Sequence, residues 1–248
     1  MLIKKFLLFT LITSALLNSC SNELDEINEV SANIETRASS SYDFLKITEH
    51  LDSKIPTSTI NAALAEMCTE KEYSYLYELD KNNNYKFSNV LIDPTINEKA
   101  TAVYNVETRE FKFYDVSAIN ALTLTEEFLH MNQHYCYNGL GKYWGKGMSN
   151  IEFEAKFIQD VINYRGFMPT QFLSQGKYHT TEFLGWMDTF AESSDFPTFS
   201  QVKTGIDGYT WWDFIEDFRQ EHITIKPYAV PVDNSLTGKL VDLIGSNN

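Results

Sequence analysis

Basic residues are scarce in this 248-residue chain, which has 20 lysines and arginines against 34 aspartates and glutamates and a net charge of −14. An acidic surface repels a phosphate backbone, so a nucleic acid is not expected as a partner. The first twenty residues hold two of the lysines and no acidic residue. A chain that loses them is therefore more acidic still.

The signatures of several enzyme classes are missing. The glycines between Asn138 and Gly147 have neither the dinucleotide nor the nucleoside-triphosphate spacing. The chain lacks the Gly-x-Ser-x-Gly elbow of serine hydrolases. It has one Glu-x-x-His segment, Glu127 to His130, where a di-iron carboxylate site needs a pair. We exclude these three chemistries as main hypotheses.

Cysteine is also rare, with three in the chain: Cys20, Cys68 and Cys136. The last two would be able to form one disulfide in an oxidising compartment. Both lie in apolar stretches of helical pattern, where buried free thiols are common. The sequence leaves the two alternatives open because it does not give their separation.

The apolar run from Phe6 to Leu17 follows two lysines and is too short to span a bilayer. Leu17-Asn18-Ser19-Cys20 resembles a bacterial lipobox, which implies that residues 1–20 are a signal peptide and that Cys20 becomes the acylated first residue. The implied partner is the lipid bilayer, reached through acylated Cys20. An ordinary secreted protein, in which Cys20 is not acylated, is the alternative.

Residues 21–41 are polar, with few apolar anchors, and indicate a flexible tether ahead of a single domain at 42–248. The acids that directly follow Cys20 are similar to the export signal of surface-displayed bacterial lipoproteins. This resemblance implies an outer-membrane lipoprotein of the cell envelope, exposed at the surface.

The segment from Leu122 to Tyr135 predicts a buried helix with a single polar stripe. At about 100° per residue, Glu126, Glu127, His130 and His134 fall within an arc of roughly 100°. Two carboxylates and two imidazoles are costly to bury unless they are paired, hydrogen-bonded or bound to a metal. The stripe is therefore a candidate metal site.

Glu126-Glu127-Phe128-Leu129-His130 resembles the His-Glu-x-x-His helix of zinc metallopeptidases (zincins), with Glu126 in place of the first histidine. The resemblance implies a zinc site with Glu126 and His130 as ligands and Glu127 as the general base. A carboxylate oxygen binds zinc at about the same distance as an imidazole nitrogen. A decayed, inactive site is the alternative.

In the gluzincin branch of these enzymes, a glutamate on a later helix is the third ligand. The predicted helix from Ser149 to Tyr164 offers Glu154 and Glu152. We favour Glu154, because small Ala155 permits close helix approach while Glu152 lies in the first turn, where an acid suits the helix dipole. A set built on His130 and His134 is a further alternative.

The periodicities predict an α+β fold: a mainly helical, zincin-like domain with a small antiparallel sheet ahead of the central helix and a helical C-terminal lobe. Helices are expected at 42–55 and 58–72. Between Tyr73 and Tyr114 the period changes, beginning with the alternation of Tyr73, Tyr75 and Tyr77, which is typical of a strand. A hairpin is expected from 100–106 and 110–114.

Three functional hypotheses follow. The first is a lipid-anchored zinc hydrolase of peptides, with Glu127 taking the proton of a zinc-activated water. The second is an inactive zincin-like lipoprotein that binds a peptide, a glycan or a protein partner. The third is a structural domain whose stripe is a hydrogen-bonded network. Tyr143 and Trp144, in the glycine-rich loop after the central helix, are candidates for a substrate cleft.

Overall fold

The computed structural model describes residues 42–96, 101–166, 180–191, 193–224 and 229–247. Eight α-helices and one three-stranded sheet lie in these ranges, so the mainly helical α+β architecture is confirmed. None of the described helices is both long and apolar enough to cross a bilayer. The predicted signal peptide, the tether and Cys20 fall outside the described residues.

The helices are α1 (Thr57–Met67), α2 (Lys71–Asn83), α3 (Ala121–Cys136), α4 (Met148–Arg165), α5 (Thr180–Ala191), α6 (Phe199–Val202), α7 (Trp211–Glu221) and α8 (Lys239–Gly245). The strands are β1 (Asn89–Ile92), β2 (Ala102–Asn105) and β3 (Glu110–Phe113). Short 3-10 turns are formed by Phe44–Lys46, Val116–Ala118 and Gly141–Tyr143. The last four α-helices lie in the C-terminal part of the chain.

The sheet has the strand order β1-β3-β2 and is mixed. The predicted hairpin is confirmed, with Ala102 opposite Phe113 and Asn105 opposite Glu110 in the antiparallel β2–β3 pair. The expected purely antiparallel sheet is wrong, because β1 pairs parallel to β3. The hairpin reverses the chain once, so β3 runs in the direction of β1 and lies beside it.

The helix expected at 42–55 is wrong beyond one 3-10 turn, Phe44–Lys46. The backbone here pairs with the strand segment that begins at Phe87: Phe87 N–H donates to Ile47 O, and Glu49 N–H donates to Phe87 O. Val90 N–H donates to His50 O in the same way. These long-range bonds satisfy backbone groups that a helix would satisfy locally, and they override a weak helical pattern.

The strand pattern of Tyr73, Tyr75 and Tyr77 is also wrong, because these residues lie in helix α2. The second expected helix ends earlier than predicted, at Met67, and α2 begins at Lys71. Its buried positions are Glu72, Tyr73, Leu76, Tyr77 and Asp80, and the last four have the spacing of three and four that marks a helix face. Two of the three alternating tyrosines, Tyr73 and Tyr77, fall on this buried helix face, so the alternation fits a helix as well as a strand.

Helix α3 lies at the centre of the fold and contacts α1, α4 and strand β2. Helix α4 in turn contacts α5 and α7, so it has no face left for solvent. Every residue from Met148 to Ile162 is buried. Polar side chains on the facing sides of α3 and α4 are thereby brought together away from water.

Cys68 and Cys136 are free thiols, so the disulfide alternative is not formed. Burial raises the pKa of each to about 12, with nearby carboxylates adding to the effect. Both are therefore protonated and unreactive at neutral pH.

Candidate metal centre

Helix α3 carries the first part of the site, and its start is defined by a capping box. Asn120 accepts a hydrogen bond from Thr123 N–H at 3.1 Å, and Thr123 Oγ1 accepts one from Asn120 N–H at 3.3 Å. Both bonds satisfy donors that the first turn of a helix leaves unpaired. The helix phase that follows places Glu127 and His130 in the interior.

Helix α4 carries the second part, and Gly147 defines where it begins. Gly147 has φ +91°, a backbone conformation that favours glycine, and a Cβ here would also lie 2.6 Å from Leu236 Cδ1. One turn on, Asn150 binds the backbone of Asp233 twice: its Oδ1 accepts from Asp233 N–H at 2.9 Å, and its Nδ2 donates to Asp233 O at 3.1 Å. This contact fixes the position of α4 along its axis, and with it the point at which Glu152 contacts α3.

Glu126, His130 and Glu152 form the candidate metal centre. Each offers one ligand atom, and these three atoms lie within 4.8 Å of one another. His130 Nε2 and Glu152 Oε2 are 3.4 Å apart. Two ligands bound tetrahedrally to zinc at 2.0–2.1 Å are about 3.3 Å apart, so the separation of this pair, which is in direct polar contact, is also compatible with zinc. The donor set fits a divalent transition metal.

The ring of His130 is held by a buried chain of hydrogen bonds. Its Nδ1 lies 2.9 Å from Gln133 Oε1, while Gln133 Nε2 donates to Ile151 O at 2.7 Å and to Glu154 Oε2 at 2.8 Å. Because both partners of Nε2 are acceptors, the amide has one orientation and presents its oxygen to His130. Nδ1 therefore carries a proton, and a metal would bind at Nε2 in place of the second proton of the ring.

Glu154, the predicted third ligand, lies elsewhere. Its Oε1 accepts hydrogen bonds from Leu240 N–H at 2.8 Å and Val241 N–H at 3.2 Å, in the first turn of α8. Glu152, the less favoured alternative, is the one in reach of Glu126 and His130. Residues two apart on a helix point about 200° apart, so the two glutamates reach different partners: Glu152 lies at His130, and Glu154 meets α3 further along, at Gln133. Burial raises the pKa of Glu154 to about 7, against the lowering effect of its four hydrogen-bond donors.

His134 lies one turn beyond His130 and outside the three-residue group. Its ring centroid is 6.5 Å from that of Tyr104 on β2, in an edge-on arrangement. Burial and the charge of Arg109 lower its pKa, against a hydrogen bond to the Val106 carbonyl. The structure thus places His134 against the end of β2.

Glu127 is buried next to the three candidate ligands. Burial raises its pKa to about 8; Glu126 and Glu152 add to the rise, and His130 opposes it. Burial alone would lower the pKa of His130, but the surrounding carboxylates, Glu152 first, raise it to about 9. A carboxyl with a pKa near neutrality suits transfer of a proton in either direction.

Lys156 is a residue of this site that sequence reasoning missed. It lies one turn after Glu152 on α4, is buried, and its Nζ contacts Glu126 Oε1 in a short ion pair. Burial raises the pKa of Glu126, but the charges of Lys156 and His130 outweigh it and the net pKa is lowered. The spacing of four between Glu152 and Lys156 was visible in the sequence and would have placed both on one face.

Tyr104 on β2 was also missed. Its ring lies parallel to that of His130, with centroids 6.4 Å apart. The hydroxyl is buried and has no hydrogen-bond partner among the described residues. Burial raises its pKa far above the usual value, and Glu127 contributes to the rise. The sequence signal that would have identified Tyr104 is its position in the predicted hairpin strand before α3.

The two cleft candidates lie in and beside the 3-10 turn Gly141–Tyr143. Tyr143 packs edge-on against Tyr137, with centroids 5.8 Å apart. Trp144 is 44% exposed. Their role in a substrate cleft stays a prediction.

No family model, no curated protein and no solved structure matches this chain. The resemblance to zinc metallopeptidases therefore rests on the residues of α3 and α4, and the zincin fold is a hypothesis for this chain. What the structure contributes is the Glu126–His130–Glu152 group within metal-binding distance.

Proposed function

We propose that Glu126, His130 and Glu152 bind one Zn²⁺ and that the protein is a metallopeptidase-like hydrolase. The observation that carries the proposal is the 3.4 Å separation of His130 Nε2 and Glu152 Oε2, on a ring whose tautomer is held by Gln133. Three protein ligands leave the fourth tetrahedral position for water, as in catalytic rather than structural zinc sites.

Bound zinc would supply an activated water at neutral pH and polarise the carbonyl of the substrate. Glu127 is the general base: its carboxylate accepts the proton of the attacking water and passes it to the leaving amine. Its burial keeps bulk water from competing for that proton.

An extended peptide is the substrate class that the neighbouring strand favours. Among the described residues, β2 pairs with β3 alone, so its other edge has backbone groups free to pair. A peptide that adds to such an edge is bound through its main chain. Tyr104, on this strand, brings the edge next to His130.

The proposed location is the bacterial cell envelope, with acylated Cys20 as the anchor in the outer membrane and residues 21–41 as the tether. The motif at Leu17 to Cys20 supports it. Mass spectrometry of the mature N-terminus tests it: an acylated Cys20 is expected, and an unmodified chain that keeps residues 1–19 contradicts it.

A second candidate, an inactive zincin-like protein that binds a peptide, a glycan or a protein partner, is favoured by one observation. The Lys156 ammonium already contacts Glu126 and neutralises part of the charge that a metal would neutralise. In this case the cleft would bind without turnover.

Metal content by mass spectrometry of residues 21–248, purified without chelators, tests the proposal. We expect one equivalent of zinc, lost in His130→Ala. Glu127→Gln should retain the zinc and lose at least a hundredfold in peptide turnover, because general-base catalysis contributes about 10²–10⁴-fold.

Glu107→Gln, at an exposed glutamate, is the matched control and should behave as the wild type. Absence of bound metal, even with zinc added, would end the hydrolase proposal. Bound zinc with no turnover of a peptide library would instead favour the inactive binding protein.

A further inference from the structure

We propose that Lys156 is a built-in counter-cation of the metal centre: it holds Glu126 in the metal-free protein and sets how tightly the site binds zinc. This inference rests on the proposed zinc site. It assigns a function to a residue that is not itself a ligand.

The first support is the pairing of charges. Glu126 and Glu152 are the two carboxylates of the group: the Lys156 ammonium contacts Glu126, and His130 Nε2 lies 3.4 Å from Glu152 Oε2. A buried carboxylate without a partner is strongly destabilising. Each carboxylate of the site therefore has a partner on the facing helix before any metal enters.

The second support is the burial of Lys156 itself. Its side chain is 7% exposed, and it emerges from a helix that has no exposed face between Met148 and Ile162. Lysine is almost never buried to this extent unless it is paired. The Glu126 side chain is 29% exposed, so the pair lies at the edge of the interior, where charges interact more strongly than in a fully exposed surface pair.

The third support is the departure of this helix from the zincin pattern. Glu126 stands where the related helices have a neutral histidine, and it adds one negative charge to the ligand set. The ammonium of Lys156 adds one positive charge at the same carboxylate. Glu126 and Lys156 together therefore carry the same net charge as the histidine that is missing.

Two consequences follow. The metal-free protein does not depend on zinc to fold, unlike small domains whose ligands have no other partner. Zinc binding must also share or displace the ammonium at Glu126, and the two cations repel each other. Zinc affinity is therefore lower than the three ligands alone would give.

The test is a zinc titration of the purified chain, by competition with a chelating dye, for the wild type, Lys156→Met and Lys156→Arg. Methionine matches the length of the lysine stem without the charge, so Lys156→Met should bind zinc roughly 10- to 100-fold more tightly, since a nearby unit charge is removed. Lys156→Arg retains the charge and should therefore lack the gain in zinc affinity expected for Lys156→Met.

The melting temperature gives a second measurement on the same samples. Metal-free Lys156→Met should melt below the wild type, and zinc should raise its melting temperature more. If the metal-free variant does not fold, dialysis against zinc should restore its helical circular dichroism, which supports the same conclusion.

Zinc binding to Lys156→Met that is equal to or weaker than that of the wild type overturns the inference and leaves the zinc site standing. Absence of zinc binding in the wild type, Lys156→Met and Lys156→Arg alike overturns the zinc site as well. Tight binding by Lys156→Met alone supports the inference.

Discussion

The two sides of helix α4 differ in how they are buried. The side towards α3 carries Glu152 and Lys156, each held by a specific partner on the facing helix. The side towards α5 and α7 carries Phe153 and Phe157, which pack into a cluster of aromatic rings. Both sides exclude water, but by different means.

The aromatic side has many interchangeable contacts. Phe153 and Phe157 each lie 5.0 Å from the ring of Trp211, and Trp186 stacks on Phe214 at 4.6 Å. Each ring touches several others, so no single contact defines the arrangement. Apolar burial and ring packing of this kind supply most of the stability of a domain.

The polar side consists of individual pairs. When one partner of a pair is removed, the other stays buried without a hydrogen bond or an opposite charge, which destabilises the folded state. The two sides of α4 therefore have different roles. The aromatic side stabilises the fold, and the polar side positions the candidate metal ligands. Variants on each side should therefore fail in different ways.

The largest effect is expected from Trp211→Ala on the aromatic side. The side chain is 1% exposed and contacts both phenylalanines of α4. Its removal leaves a large cavity and should lower the free energy of unfolding by about 3–5 kcal/mol. Urea denaturation followed by circular dichroism measures it.

Trp212→Ala is the matched control, because the next tryptophan is only partly buried, and its loss should be clearly smaller. Equal losses at both positions would contradict the claim that the aromatic cluster beneath α4 is the main source of stability.

A smaller effect is expected from Glu154→Gln on the polar side. All the groups that contact this carboxylate donate hydrogen bonds, including Gln133 Nε2 and the N–H groups of Leu240 and Val241. An amide must turn its own NH₂ towards one of them, which should cost about 2 kcal/mol. Zinc affinity should fall too, because Gln133 no longer holds His130.

Chemical denaturation and the zinc titration measure the two parts of this prediction. Glu66→Gln, at an exposed glutamate, should change neither. A stable variant with unaltered zinc affinity would show that the chain from Glu154 to His130 does not orient the ring.

The smallest effect concerns Asp80, where the rule of paired charges is broken. Its carboxyl is fully buried, only Oδ2 has a partner, Asn132 Nδ2 at 3.1 Å, and Oδ1 has none among the described residues. Burial raises its pKa well above the usual value. The contribution of Asp80 to the free energy of unfolding is therefore fully present below its unfolded-state pKa, and it is lost as the pH rises through the folded-state pKa.

Asp80→Asn has no charge to bury, so it should be more stable than the wild type by about 1 kcal/mol at neutral pH, with a gain that shrinks towards pH 4. Urea denaturation at pH 4.5 and pH 7.5 measures this. Asp52→Asn is the matched control and should show almost no change between these two pH values, because backbone hydrogen bonds from Lys54 and Ile92 lower the pKa of Asp52 and both pH values lie above its usual value. A gain for Asp80→Asn that is independent of pH would contradict the assignment.

The sequence predicts what is local to one element. The polar stripe of α3 follows from residue spacing, and so does the hairpin before it. The choice between Glu152 and Glu154 does not, because it depends on how α4 is rotated against α3, and that rotation is set by Gly147 and the contact of Asn150 with Asp233.

The same limit explains the errors elsewhere. Residues 47–51 are not helical because a distant segment at Phe87 to Val90 offers their backbone groups hydrogen-bond partners. The role of Lys156 depends on its contact with Glu126, which lies 30 residues earlier in the chain. Long-range pairs of this kind leave no periodic trace in a single sequence.

The bonds from Leu240 and Val241 to Glu154 have a consequence for the order in which this molecule matures. The chain of contacts that fixes His130 includes two amides more than a hundred residues downstream of it. A nascent chain that emerges from a ribosome or a translocation pore, N-terminus first, cannot complete that chain until residue 241 is out. The centre is thus assembled last, and an unfinished or truncated copy lacks the support of its histidine.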